Sequence, residues 1–290
     1  MTKLYQKLFK PGITPEEIRR GVEIASGQPA DAERKEILKT IFSCLDLTSL
    51  NTTDNSKHIR QFALKVRMFK ESFPKARNVA AICVFPNFVH PAREGLGKCG
   101  VKLAVVSASF PTSQTFLEVK ARETEIAVRN GADEVDIVIP VGEFLDNEYE
   151  TVIDEVKTLR LACGDATLKV ILETGLLADP EKIYRASVIA MEAGADFIKT
   201  STGKSPISAT PEAAIVMCKA ISDYYNETGI MIGFKPAGGI VTTNEAIVYY
   251  NIVKNMLGEK WLNNSYFRIG ASRLANNILA EINPGKPAFF

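Results

Sequence analysis

Histidine, tryptophan and net charge are all scarce in this sequence. Its 290 residues include two histidines, His58 and His90, and a single tryptophan. Two histidines exclude a histidine-rich metal site. Lysine and arginine number 35 against 34 acidic residues, for a formal net charge of +1. No global field exists to attract nucleic acid or an anionic membrane, although local phosphate sites stay open. The five cysteines (Cys44, Cys83, Cys99, Cys163, Cys218) form no C-x-x-C pair. An odd, scattered set points to reduced thiols in a cytoplasmic compartment. The first eleven residues are too polar for a secretory signal. No apolar run reaches the roughly 18 residues of a membrane span. Long linkers, low-complexity stretches and charge blocks are absent too.

What the chain does have is a rhythm. Apolar, strand-like runs occur at 41–47, 79–85, 101–106, 134–139, 168–172, 196–199, 230–234 and 266–269. Amphipathic segments lie between them. Ile183, Ala186, Ser187 and Ala190 share one helical face, as do Val152, Val156, Leu159 and Cys163. Asp179-Pro180, Thr210-Pro211 and the capping box Thr242–Glu245 mark helix starts. Gly131 and Gly194 sit where a helix hands over to a strand. Near-continuous apolar strands fit a parallel sheet covered by helices. Eight β-α repeats in this length predict a (β/α)₈ TIM barrel over 41–283. An open doubly wound sheet would want a glycine-rich turn after its first strand. This chain has DLTSLN there, at 46–51. Residues 1–40 read as an N-terminal helical extension that opens a helix at Thr14-Pro15-Glu16-Glu17. Residues 284–290 read as a short mobile tail.

The chemistry is expected where barrel strands end, because the loops after them build the site. Lys199 closes run six, in ADFIKTSTGK, and Lys235 closes run seven, in MIGFKPAGG. Asp136 lies inside EVDIVIP, and Asp46 ends run one. Lysine is almost never fully buried unless paired or reactive. Adjacent strands are about 4.8 Å apart, so both ammonium groups can meet in one poorly solvated mouth. Mutual repulsion and desolvation then lower one lysine's pKa. A neutral amine attacks carbonyls to form a Schiff base. Spacing alone does not say which lysine attacks. For either lysine by itself an ion pair is the plain alternative, and Asp46 also reads as a turn residue. Gly203-Lys204, Gly238-Gly239 and Gly270-Ala271-Ser272 converge on one rim and suggest a phosphate cradle. His58 and His90 read as solvated or capping groups, the latter in a loop. Cys83 reads as a buried small hydrophobe. Lys98, Lys102 and Lys169 read as solvated charges at the opposite face of the barrel.

These motifs resemble one family. LDLTSLN at 45–51, AAICVFP at 80–86, EVDIVIP, LKVILETG at 168–175, DFIKTSTGK, IGFKPAGGI and FRIGAS at 267–272 together are similar to deoxyribose-phosphate aldolases. The resemblance spans roughly 41–280. It implies a class I aldolase on a TIM barrel, acting without metal or other cofactor. The implied reaction cleaves 2-deoxy-D-ribose 5-phosphate to acetaldehyde and D-glyceraldehyde 3-phosphate. It also implies residue roles: Lys199 as the Schiff-base lysine, Lys235 as the lysine that lowers its pKa, and Asp136 and Asp46 as active-site aspartates. Gly203, Lys204, Gly238, Gly239 and Ser272 match phosphate-binding positions. Thr48, Asn51, Thr202 and Gly270 complete the candidate substrate-binding set. The expected partner is a small sugar phosphate, with no nucleic acid or membrane, in a possible homo-oligomer. Two departures stand out: Arg273 follows the GAS motif, and the chain ends in Phe289-Phe290 where some members end in a tyrosine. A different sugar phosphate, or a catalytically silent phosphosugar-binding protein, are the rival readings.

Overall fold

The structure is a computed structural model and describes residues 7–8, 12–285 and 288–290. Parts of the expected extension (1–6 and 9–11) and of the expected tail (286–287) lie outside the described residues.

Eight short parallel strands form the centre: β1 (Leu45–Thr48), β2 (Ala81–Val84), β3 (Lys102–Val106), β4 (Glu134–Val138), β5 (Thr167–Ile171), β6 (Phe197–Lys199), β7 (Gly233–Lys235) and β8 (Ile269–Gly270). Each pairs with its neighbour in chain order, and β1 pairs with β8. Bridges at Phe234–Phe267 and Ala237–Gly270 join β7 to β8 and close the ring. Helices separate the strands. The architecture is the (β/α)₈ barrel.

Helix starts follow from local chemistry. Thr14 and Thr242 each form a capping box, with Glu17 and Glu245. Asp179 and Thr210 cap helices Pro180–Glu192 and Pro211–Thr228, each with proline in its first turn.

Several boundaries differ from expectation. Residues 41–43 belong to helix Asp31–Ser43, so the first strand begins at Leu45 and the helix crosses the expected boundary at residue 40. Asp46 therefore sits inside β1 rather than at its end. The last strand is only Ile269–Gly270. An apolar helix face ran directly into an apolar strand at 41–47, which hid the junction. His90 lies on helix Val89–Leu96 rather than in a loop, because Pro91 is tolerated in a first turn.

The last two residues are seated on the outer helices. Phe290 stacks on Phe69 with ring centroids 5.9 Å apart, and Phe289 meets Phe73 edge-on. Asn276 accepts the Phe289 and Phe290 N–H groups and donates to the Phe290 carbonyl.

Two cores result from the alternation of strand side chains. The large one fills the space between sheet and helices. Inside the barrel, Leu50, Ala81, Cys83, Ala104 and Val106 form a small apolar cluster on the β1–β3 side. The other half of the interior is charged.

Candidate active site

Alternate positions of the later strands point inward and stack charges in the barrel. Lys199 and Lys235 are direct register partners on β6 and β7. Both are almost fully buried. Each donates to the same atom, Asp136 Oδ2, at 2.8 Å. Asp136 Oδ1 accepts from Lys169 at 2.9 Å. Three lysines thus converge on one aspartate. Lys235 also makes a 2.5 Å ion pair with Asp46 Oδ2.

Below this layer lies a second. Arg268 donates to Asp46 Oδ1 at 2.8 Å and to both oxygens of Glu134, at 2.8 and 3.1 Å. Lys169 closes the circuit with a 2.6 Å ion pair to Glu134. Seven side chains therefore form one continuous buried network.

Lys169 corrects an expectation. It was expected among solvated charges, yet its side chain is 0% exposed. In β5, Lys169 and Ile171 face the barrel axis, while Leu168 and Val170 join the outer core. Lys98 and Lys102 are exposed as expected. Glu134 and Arg268 were not singled out by sequence reasoning. Their signal was a charge at period two inside apolar runs: Glu134 and Asp136 in EVD, and Arg268 in FRI.

The electrostatics divide the lysines. Burial opposes the charge of Lys199, and Lys235 repels it; together they outweigh Asp136 and bring its pKa below the ordinary lysine value. Burial also opposes the charge of Lys235, but Asp136 and Asp46 hold its proton and raise its pKa. Lys169 is likewise raised, by Asp136 and Glu134 against the cost of burial. Asp46, Glu134 and Asp136 all stay below the usual carboxylate range, because the facing cations overcome desolvation. Cys83 lies in the same interior, and burial pushes its thiol up to about 11.

The rim groups fall into distinct sets. Gly203 and Gly238 face each other, both with positive φ (+76° and +84°). A Cβ on Gly238 would stand 2.6 Å from Ser208 Oγ and 3.2 Å from Gly203 Cα, so only glycine fits this approach. Gly239 follows at φ +83°. Thr202 donates its hydroxyl to the buried Glu173 carboxylate at 2.5 Å and accepts the Lys204 N–H. Lys204 Nζ reaches across to the Leu50 carbonyl at 2.6 Å, linking the loops after β6 and β1. Ser272 exchanges hydrogen bonds with the Thr48 backbone and so ties the end of β1 to the loop after β8. Gly270 accepts the Gly238 N–H at 3.4 Å. Asn51 stays within a local turn built on Asp54 and is not brought to the lysines. The Thr200 hydroxyl accepts the Ala237 N–H and joins the ends of β6 and β7. Ser201 beside it has a buried hydroxyl without a partner among the described residues. No His, Cys, Asp and Glu group of metal-binding size occurs among the described residues. Among them, too, no helix is long and apolar enough to cross a membrane.

This geometry sets an amine of lowered pKa beside an ammonium of raised pKa and a shared carboxylate, the groups that proton shuffling around an imine requires. Comparison with known proteins is consistent with it. The model of the DeoC/LacD family aldolases matches residues 40–253. Human deoxyribose-phosphate aldolase is 40% identical over 280 residues, covering 92% of this chain and 88% of the human one. The bovine protein of the same name is 39% identical over 280 residues with the same coverage. The tetrameric deoxyribose phosphate aldolase of Aeropyrum pernix shares the fold, with a TM-score of 0.66 at 23% identity over 87% of this chain and 98% of that one.

Proposed function

The chain belongs to the DeoC/LacD family of aldolases, and we propose that it cleaves 2-deoxy-D-ribose 5-phosphate through a Schiff base on Lys199. The observation that carries this reading is the pair of lysines on one aspartate oxygen, with their pKa values displaced in opposite directions. The depressed lysine is the nucleophile; the elevated one keeps its proton and serves as an acid.

Neutral Lys199 attacks C1 of the open-chain sugar and forms a carbinolamine. Asp136, Lys235 and a water supply the proton that lets hydroxide leave as water. The resulting iminium is the electron sink. The C3 hydroxyl loses its proton, the C2–C3 bond breaks, and its electron pair moves into the enamine. D-Glyceraldehyde 3-phosphate departs. Protonation of the enamine at C2 and hydrolysis of the imine then release acetaldehyde and free Lys199. Every step is reversible.

Gly203, Gly238 and Gly239 bring backbone close to the phosphate, Lys204 supplies charge, and Ser272, Thr48, Thr202, Gly270 and Asn51 shape the rim. Lys204 exchanges its Leu50 carbonyl for the phosphate. Asp46 holds Lys235. A cytoplasmic site of action fits five unpaired cysteines. Assembly into a homo-oligomer is part of the reading, supported by the tetrameric Aeropyrum pernix relative.

Borohydride trapping with acetaldehyde, followed by intact mass and peptide mapping, tests the mechanism. The expected product is a two-carbon adduct on Lys199. An adduct on Lys235 would exchange the two roles. A folded protein that binds the sugar phosphate without any reducible adduct would instead be a binding protein.

A further inference from the structure

We propose that Arg268, together with Glu134, is a positioning residue that sets the proton balance of Lys199 from the floor of the barrel. This deepens the reading above and rests on Lys199 being the nucleophile.

Neither residue touches Lys199. Arg268 bonds Asp46 and Glu134; Asp46 pairs with Lys235, and Glu134 with Lys169. Lys235 and Lys169 both end on Asp136, which bonds Lys199. The Arg268 guanidinium lies 5.7 Å from the Phe197 ring centroid, on the strand that carries Lys199. The site above is thus fixed through two relays on opposite walls.

The inward charged groups can be counted. Asp46 comes from β1, Glu134 and Asp136 from β4, Lys169 from β5, Lys199 from β6, Lys235 from β7, and Arg268 immediately precedes β8. β2 contributes Cys83, whose thiol stays neutral at physiological pH, and β3 contributes Ala104 and Val106. At the rim, Glu173 after β5 and Lys204 after β6 add one further charge of each sign; Glu173 accepts from Thr202 and Lys204 donates to the Leu50 carbonyl, outside this network. Within the network three carboxylates face four basic groups. An uncompensated buried charge is strongly unfavourable. The network is neutral only when one basic group gives up its proton. Arginine does not titrate in proteins. Lys169 and Lys235 each contact two carboxylates, while Lys199 contacts one. Lys199 is therefore the group that yields. The facing carboxylates raise the pKa values of Lys169, Lys235 and Arg268, whereas burial lowers that of Lys199.

This account fixes the signs of charge changes two contacts away. Arg268→Met leaves three carboxylates against Lys169 and Lys235, and a proton on Lys199 restores neutrality. Lys199 then stays charged to higher pH. Glu134→Gln has the opposite effect, since three cations already exceed two carboxylates. The double variant is balanced again.

The test measures two pH profiles for the full-length wild type, Arg268→Met, Glu134→Gln, the double variant and Arg268→Lys. One profile is kcat/KM with 2-deoxyribose 5-phosphate. The other is the rate at which acetaldehyde and cyanoborohydride label Lys199, read by peptide mass. The rising limb should move up by about one pH unit in Arg268→Met and down by about one in Glu134→Gln. It should return in the double variant and stay in place in Arg268→Lys. Folded single variants whose limbs stay put, or move together, would overturn the proposal, since a purely structural role moves only amplitude. If Arg268→Met fails to fold, the downward shift of Glu134→Gln remains required, and its absence is decisive. Labelling with the expected shifts but no turnover of the sugar phosphate would reject the substrate while supporting the tuning. No labelling of wild-type Lys199 at any pH would remove both.

Discussion

Two buried ionic clusters in this protein look alike on a contact map and differ in chemistry. One is the seven-residue network inside the barrel. The other lies outside it, between helices Leu117–Arg129 and Tyr149–Cys163, where Lys120 donates to Glu155 at 2.7 Å and to Ser113 Oγ at 2.9 Å. Ser113 donates to Glu155 in turn, at 3.0 Å. That cluster holds one cation, one anion and a hydroxyl, and it is closed. Each member bonds the other two. It pins the loop after β3 to the helical layer. The barrel cluster has one more base than acid, and that surplus makes one amine available. Burial of charge is common to both; imbalance belongs to one.

The largest effect should come from removing the surplus base. Lys199→Ala should lower kcat by roughly 10⁵-fold or more, as loss of a nucleophile does, while thermal unfolding stays cooperative. Turnover above about a hundredth of wild type in a clean preparation would end the assignment of Lys199 as nucleophile. Replacing the second lysine should change the pH response instead. Lys235→Leu removes the repulsion that helps keep Lys199 neutral. The nucleophile's pKa then rises, so the rising limb of kcat/KM moves to higher pH, by about one to two units. At a fixed pH on that limb the loss is about 10–100-fold. An unmoved limb would show that Lys235 does not tune its neighbour.

Much of the barrel was legible because apolar runs and caps repeat. The capping boxes at Thr14 and Thr242 and the glycines at 131 and 194 lie where their chemistry demands. Strand ends were less legible, since residues 41–47 are apolar on both sides of a helix–strand junction. In the site, Lys199, Lys235 and Asp136 were visible as charges in apolar runs, and the structure brings them within hydrogen-bonding distance. The same signal was present at Lys169, Glu134 and Arg268 and went unread. A charge early in a strand resembles a solvated charge at the barrel's lower rim. What separates Lys169 from Lys102 is strand stagger: Lys102 is the exposed first residue of β3, whereas Lys169 is the third of β5 and pairs in register with Asp136. Stagger is a property of the closed ring, and no local window contains it. Asn51 shows a local constraint that its motif does not spell out: the Asp54 carboxylate accepts its backbone and side-chain N–H groups in a turn next to Leu50, whose carbonyl Lys204 reaches.

The outer cluster offers the complementary tests, and here the readout is stability. Lys120→Met leaves Glu155 with a buried charge and a single hydroxyl partner. Breaking a buried pair from one side costs about 3–5 kcal/mol, measurable by urea unfolding, with kcat unchanged in the protein that remains folded. A matching loss of kcat would mean that the loop after β3 reaches the mouth.

The smallest effect should come from removing both charges together. In the double variant Lys120→Met with Glu155→Leu, no ion is left unpaired, and the apolar side chains can fill similar volume between the same two helices. Only the Ser113 hydroxyl then lacks a partner, at about 1–3 kcal/mol. The double variant should therefore be more stable than Lys120→Met alone, despite carrying one more change. A double variant less stable than the single would show that packing lost at position 155 outweighs relief of the unpaired charge. Recovery with full activity would show that outside the barrel the charges are exchangeable for hydrocarbon, because there the balance of protons has no reaction to serve.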